Sequence, residues 1–231
     1  ARVGDVVLSR DDVHVHFDGV VALDGAHIEL RAGEVHALVG PNGSGKTTML
    51  KERAQDPRAV RTPQHTVVMP RLPADRQVAL GARGGGRARH AVLRHLLSTP
   101  SSRRPDPTVP AALEATGLQQ VAGAEPQRLK AGDQRLLQVA RAVATGAPAL
   151  LLDEPAAGMT PEERSRLRAV LRQLASQGRA VLLVEHDMRL VGEVADRVTV
   201  LNQGRVLACG APDQVRSDPA VRRAYLGTLA P

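Results

Sequence analysis

Gly40-Pro41-Asn42-Gly43-Ser44-Gly45-Lys46-Thr47 has the residue types and spacing of a loop that binds the phosphates of a nucleotide. Gly43 and Gly45 let the backbone curl so that successive amides point at one phosphate, and a helix starting at Lys46 adds its dipole. Lys46 would set an ammonium between β- and γ-phosphate oxygens, and Thr47, followed by Thr48, brings a hydroxyl that can ligate Mg²⁺. Further along, Leu150-Leu151-Leu152-Asp153-Glu154 ends an apolar run in two adjacent carboxylates. Asp153 is suited to organise Mg²⁺ through its water shell, and Glu154 to orient or deprotonate an attacking water, because phosphoryl transfer depends on positioning and charge stabilisation. Alone, such an acidic pair is often a helix cap; downstream of a phosphate loop the catalytic reading prevails.

These side chains need a strand, loop and helix frame. Residues 34–39 form a buried strand running into the loop, and 46–53 the helix that follows. Alternating segments 5–17 and 26–30 read as strands of an antiparallel sheet. Another short apolar run covers 66–69, and the Arg, Gly and Pro-rich stretch 71–110 carries a helical patch at 88–97. Residues 111–117 and 129–144 follow as helices, the second amphipathic through Leu136, Leu137, Val139, Ala140 and Val143. Residues 149–152 and 180–184 are strands. Thr160-Pro161-Glu162-Glu163 opens a helix that Gly178 ends, and Asp187 caps another to about 195. Residues 197–201 and 205–209 flank Asn202-Gln203-Gly204 as a hairpin, and a short helix through Tyr225 closes the tail. Strands alternating with helices predict an α/β fold with a mainly parallel sheet. One domain is expected over 1–231: a nucleotide-binding core with its antiparallel sheet from 1–72 and 147–231, and a helical insertion at 73–146.

The 231 residues, 42% of them hydrophobic, suffice for a buried core, and no apolar run has the length needed to span a bilayer. No charged-then-apolar leader opens the chain, and the single Cys209 cannot form an internal disulfide, so a reducing cytoplasm is expected. Cys209 reads as an inert strand residue. The chain begins on Ala1, which suits a processed chain or a domain cut from a longer polypeptide. A net charge of +7 would suit nucleic acid or an anionic membrane, but the basic residues are scattered. Only Phe17 and Tyr225 are aromatic, too few for base stacking, so no nucleic-acid partner is expected.

The order of phosphate loop, Gln64, Leu129-Lys130-Ala131-Gly132-Asp133, Leu150-Leu151-Leu152-Asp153-Glu154-Pro155 and His186 resembles the ATP-binding cassette ATPases over essentially the whole chain. Within them, Ala59-Val60-Arg61-Thr62-Pro63-Gln64, Asp153 to Met159, Val184-Glu185-His186-Asp187-Met188 and the tail Gly210-Ala211-Pro212-Asp213-Gln214-Val215 with Ala224-Tyr225-Leu226-Gly227 are similar to ATPase subunits of branched-chain amino-acid importers. The resemblance implies a P-loop NTPase fold with an antiparallel β subdomain and a helical insertion, ATP and Mg²⁺ as cofactors, and ATP hydrolysis coupled to transport. It implies that Phe17 stacks on adenine, that Gln64 senses Mg²⁺ and the γ-phosphate, and that His186 bonds the γ-phosphate and steadies Glu154. Without it, Phe17 would read as a core anchor, Gln64 as a loop residue and His186 as a structural histidine. It further implies a peripheral place on the cytoplasmic face of a membrane, with permease subunits docking near 69–97.

Two departures stand out. The family's signature reads Leu-Ser-Gly-Gly-Gln, or Leu-Ser-Tyr-Gly-Gln in this subgroup. Here Lys130 replaces the serine whose hydroxyl meets the γ-phosphate, and Asp133 sets a negative charge near an anion-binding helix start. In the family the signature faces the nucleotide of a second subunit, so Lys130, Ala131, Gly132 and Asp133 are expected to complete a partner's site. The expectation is a heterodimer with a different ATPase whose intact signature completes this chain's own site. Second, only 17 residues separate Lys46 from Gln64, roughly half the family's usual count, which predicts a trimmed helix and an antiparallel sheet lacking one or more strands. The competing readings are a binding-only regulatory cassette and a soluble cassette acting on DNA or ribosomes. The latter would carry a long coiled-coil insertion or tandem cassettes, and neither is seen. The residues name no cargo.

Overall fold

The computed structural model describes residues 2–64, 68–83 and 106–226. The helical patch expected at 88–97, and the first half of the apolar run at 66–69, lie outside the described residues.

Two twelve-residue strands, Val6–Phe17 (β1) and Val20–Arg31 (β2), pair as an antiparallel hairpin. Asp18 and Gly19 join them with φ of 42° and 86°, the positive values a two-residue hairpin turn requires. The second strand therefore begins at Val20, well before the expected residue 26: cross-strand pairing of Phe17 with Val20 and His16 with Val21 extends it to the turn, with a register shift at Asp24-Gly25. Among the described residues this antiparallel sheet has two strands, in keeping with the short spacing after the phosphate loop.

The main sheet takes Val35–Val39 (β3), Ala59–Arg61 (β4), Ala149–Asp153 (β5), Ala180–Val184 (β6), Arg197–Asn202 (β7) and Arg205–Gly210 (β8), in the order β4-β5-β6-β3-β7-β8. The first five run parallel, and β8 returns antiparallel to β7. Every residue of β3, β5 and β6 is buried, which is why these runs are apolar apart from His36 and Asp153.

Helices cover both faces. Lys46–Arg53 (α1) and the hairpin bury Leu23, Ile28, Leu30, Met49 and Leu50 against Leu38, Leu151 and Leu182. On the opposite face, Ala74–Arg83 (α2), Thr108–Ala115 (α3), Ala131–Ala144 (α4) and Pro161–Ser176 (α5) pack through Leu136, Leu137, Leu171 and Leu174 onto Leu150, Leu152 and Leu183. Met188–Val194 (α6), Pro212–Ser217 (α7) and Pro219–Leu226 (α8) complete the chain, with Val191, Val215 and Val221 against Ala37, Val39, Val198 and Val200.

Local chemistry sets the helix ends. Thr160 and Glu163 form a reciprocal capping box on α5, and Asp187 accepts from the Arg189 and Leu190 amides at the start of α6. α4 begins at Ala131, two residues later than expected, because Leu129 and Lys130 are extended. α3 begins at Thr108 rather than 111: the Asp106 carboxylate accepts from the Thr108 amide at 3.0 Å, and Pro110 is tolerated in a first turn, where its missing N–H has no helical partner anyway. The tail has two helices where one was expected. Pro219 holds Asp218 extended, ending α7, and the Asp218 carboxylate then caps α8 through the Ala220 amide at 2.7 Å.

Candidate functional site

The loop between β3 and α1 runs from Gly40 to Gly45. Gly45 has φ of 103°, and a Cβ there would lie 2.5 Å from the Ala22 carbonyl oxygen of β2, so the hairpin presses on the loop from one side. A Cβ on Gly40 would lie 2.1 Å from the Leu201 carbonyl oxygen of β7, so the loop is wedged from the other. Pro41 is partly exposed, Asn42 and Gly43 are exposed, and Ser44 is buried with its hydroxyl unpaired. Lys46 donates to the Gly40 and Pro41 carbonyls, both at 2.8 Å, curling its ammonium over the loop. Burial lowers its pKa while Glu154 and Asp153 pull it back up, which puts both carboxylates in electrostatic reach of the lysine. Thr47 is exposed and Thr48 partly buried, both in the first turn of α1.

Asp153, the last residue of β5, is 2% exposed, and its carboxylate accepts from Arg61 Nη2 at 2.7 Å. Glu154 follows in a left-handed conformation, φ 46°, pinned by its amide to the Val184 carbonyl at 3.0 Å. Its carboxylate accepts from Gln64 Nε2 at 3.4 Å, and the Gln64 carbonyl accepts from Arg135 of α4 at 2.6 Å. His186 stands beyond the end of β6 with its ring largely exposed and Nδ1 3.9 Å from Glu185. Lys46, Gln64, Asp153, Glu154 and His186 thus occupy the carboxyl-terminal ends of neighbouring strands, where such sheets bind ligands.

Phe17 lies at the hairpin tip, 55% exposed, which removes the core-anchor reading and leaves its ring face free. Lys130, Ala131, Gly132 and Asp133 are not drawn to the phosphate loop. Among the described residues their hydrogen bonds and ion pairs stay within α4 or go to α5: the Gly132 amide donates to Glu163 at 3.2 Å, and Asp133 accepts from Arg166 at 2.8 Å. Asp133 stands in the first turn of α4 and is paired there with Arg166. Lys130 is exposed and makes no side-chain cap, so Glu163 caps α4 in its place.

Two contributors escaped sequence reasoning. Glu185 is 1% exposed and accepts from the Ala156 and His186 amides at 3.0 and 3.3 Å, joining the segment after Glu154 to the histidine. Burial raises its pKa, the two amides opposing. A carboxylate directly after five apolar strand residues was the available signal. Gly204 donates to the Ser44 carbonyl at 3.0 Å and accepts from the Asp24 amide at 2.9 Å, tying the β7–β8 turn and β2 to the phosphate loop; nothing in its local sequence points there.

The donor set fits a magnesium nucleotide. Hydroxyl and carboxylate oxygens from Thr47 and Asp153 are hard ligands, and the orphaned Ser44 hydroxyl and the α1 N-terminus suit phosphate oxygens. Among the described residues no three His, Cys, Asp or Glu side chains converge, so most magnesium ligands would come from phosphate and water.

The family description "ABC transporter" matches residues 23–59, and "Branched-chain amino acid ATP-binding cassette transporter" matches residues 205–230. The chain is 35% identical to the high-affinity branched-chain amino acid transport ATP-binding protein LivG of Salmonella typhimurium, over 96% of this chain and 98% of the relative. It is 33% identical to the hemin import ATP-binding protein HmuV of Streptomyces coelicolor, over 97% of this chain and 85% of the relative. A solved ATP-binding cassette of an ABC transporter superposes with a TM-score of 0.84 at 23% identity, covering 96% of this chain and 99% of that one, which speaks to the fold. End-to-end similarity of this kind, on a chain whose phosphate loop and acidic strand end share one edge of the sheet, shows that the chain belongs to the ATP-binding cassette (ABC) transporter family.

Proposed function

We propose that this chain binds MgATP and hydrolyses it to drive a membrane importer of branched-chain amino acids or related small molecules. The observation that carries the reading is the Gln64–Glu154 contact at 3.4 Å beside Asp153 and Lys46, which groups a base, an amide sensor, a metal-organising carboxylate and a phosphate cation at one sheet edge. Phe17 offers a face to adenine, and the loop amides with Lys46 hold the phosphates. Thr47 and Asp153 would hold Mg²⁺, which would supply neutralisation of phosphate charge. Glu154 takes a proton from water as it attacks the γ-phosphorus and the bond to the β-γ bridging oxygen breaks, releasing ADP and phosphate. His186 hydrogen-bonds the γ-phosphate.

Identity over the whole chain does not separate cargoes, since 35% and 33% are alike; the tail match at 205–230 favours branched-chain amino acids. The chain would sit on the cytoplasmic face of a membrane against permease subunits. Among the described residues no helix is long and apolar enough to cross a membrane. A second, different ATPase would supply an intact signature to this chain's site.

A second reading, a cassette that closes on ATP without useful turnover, is favoured by Lys130 and by the engagement of Asp133 with Arg166. Glu154→Gln decides between them. On the active reading it lowers ATPase activity of the assembled transporter by about 10²-fold or more while nucleotide still binds; unchanged turnover sinks that reading. Rapid hydrolysis by the purified chain without a partner would refute the heterodimer.

A further inference from the structure

A buried carboxylate needs a countercharge, and at Asp153 the countercharge is Arg61. Arg61 ends the edge strand β4 opposite Leu151, so its side chain reaches diagonally to Asp153 two positions along β5. The backbone there is fixed, with the Thr62 amide donating to the Leu151 carbonyl at 2.9 Å. The guanidinium is less firmly held: among the described residues it makes one hydrogen bond, Nη2 to Asp153 at 2.7 Å, while Nε is buried without a partner. An arginine serving as a permanent strut spends several of its five donors. This one rests on a single carboxylate, and that carboxylate is the one suited to organise Mg²⁺.

We propose that Arg61 is a resident cation that holds Asp153 until Mg²⁺ arrives with nucleotide, and that it competes with the metal for this carboxylate. The proposal rests on the MgATP reading above. Two cations on one buried carboxylate repel each other, so Mg²⁺ approaching Asp153 weakens the Arg61 contact, and Arg61 in turn raises the Mg²⁺ concentration the site requires. The exchange reaches the Gln64 loop directly. Gln64 lies three residues after Arg61, its carbonyl is held by Arg135, and a crevice lined by Thr62, Pro63, Arg135, Gln138, Asp153 and Pro155 adjoins the carboxylate. Arg61 is thus a positioning residue that ties the state of the metal site to the loop bearing Gln64.

The test is a Mg²⁺ titration of a fluorescent ATP analogue bound to the full chain, read as nucleotide fluorescence and independent of hydrolysis. Arg61→Gln, which keeps a donor and removes the charge, should lower the Mg²⁺ midpoint about three- to tenfold, whereas Arg61→Lys should stay within about twofold of wild type. A midpoint that is unchanged or raised in Arg61→Gln overturns the proposal and makes Arg61 a fixed orienting partner. Should Arg61→Gln not fold, the arginine Nε–H resonance of wild-type Arg61, assigned by its loss in Arg61→Lys, gives the same answer. It should shift on adding Mg²⁺ with nucleotide and not on adding nucleotide with EDTA, and a resonance that responds to neither refutes the exchange. Failure of the wild type to bind nucleotide at any Mg²⁺ concentration removes the ATP reading and this proposal together. Nucleotide binding with unmoved midpoints removes this proposal alone.

Discussion

The Glu185 carboxylate accepts from two backbone amides, those of Ala156 and His186, and lies 3.9 Å from His186 Nδ1. Its role is to brace two segments. Replacing it with Ala should lower kcat about tenfold with little change in KM, because Glu154 and His186 lose a shared support rather than a ground-state contact. Steady-state kinetics of the assembled ATPase test this, and a rise in KM at constant kcat contradicts it. Lys46, Asp153 and Glu154 were legible in the sequence because their chemistry depends on near neighbours in the chain. Glu185 was not, since one of its two partners lies 29 residues away, and neither was the pairing of Asp133 with Arg166, 33 residues on.

Among the elements, β3 carries the phosphate loop, and a buried histidine ties it to its neighbours. His36 Nδ1 donates to the Glu29 carbonyl of β2 at 2.9 Å, leaving Nε2 to accept from Thr199 of β7 at 2.8 Å. Burial, aided by the Arg197 charge, lowers its pKa from 6.5 to about 4. The sign follows from the depressed value. Above pH 6.5 both folded and unfolded chains carry a neutral ring; as pH falls toward 4 the unfolded chain takes up a proton that the folded chain refuses, and stability is lost. The full loss is about 3 kcal/mol. His36→Gln should flatten this part of the pH dependence, so the stability gap between wild type and variant, measured by urea unfolding, should narrow from pH 7 to pH 4.5. A constant gap would refute the coupling. The apolar runs of β3, β5 and β6 were readable as strands because a parallel sheet covered on both faces buries every position. The reach of β2 was not, because it depends on pairing of Val20 and Val21 with β1.

For the molecule as a whole, one consequence of the altered signature is open to measurement. The proposed nucleotide site gathers residues at the ends of β3, β4, β5 and β6, while Lys130 is exposed and Asp133 pairs with Arg166 of α5. If those residues serve a partner's nucleotide, restoring the family residues with Lys130→Ser and Asp133→Gln together should raise the ATPase rate of the purified chain about tenfold. The half-exposed Arg166–Asp133 pair contributes no more than about 1 kcal/mol, so the double variant should fold. An unchanged rate in a folded variant would show that the signature does not limit turnover.

The phosphate loop, the acidic strand end and the alternation of strands with helices were written in the chain because each depends on residue types at close spacing: glycines that turn, a lysine and threonine that follow, apolar runs that must be covered. The partners of buried charge were settled by folding. Arg61 on Asp153, Glu163 on the Gly132 amide and Gly204 on the Ser44 carbonyl each join segments far apart in sequence. Desolvation leaves a buried charge or amide little choice but to pair, yet which residue it pairs with depends on how the layers of the fold meet.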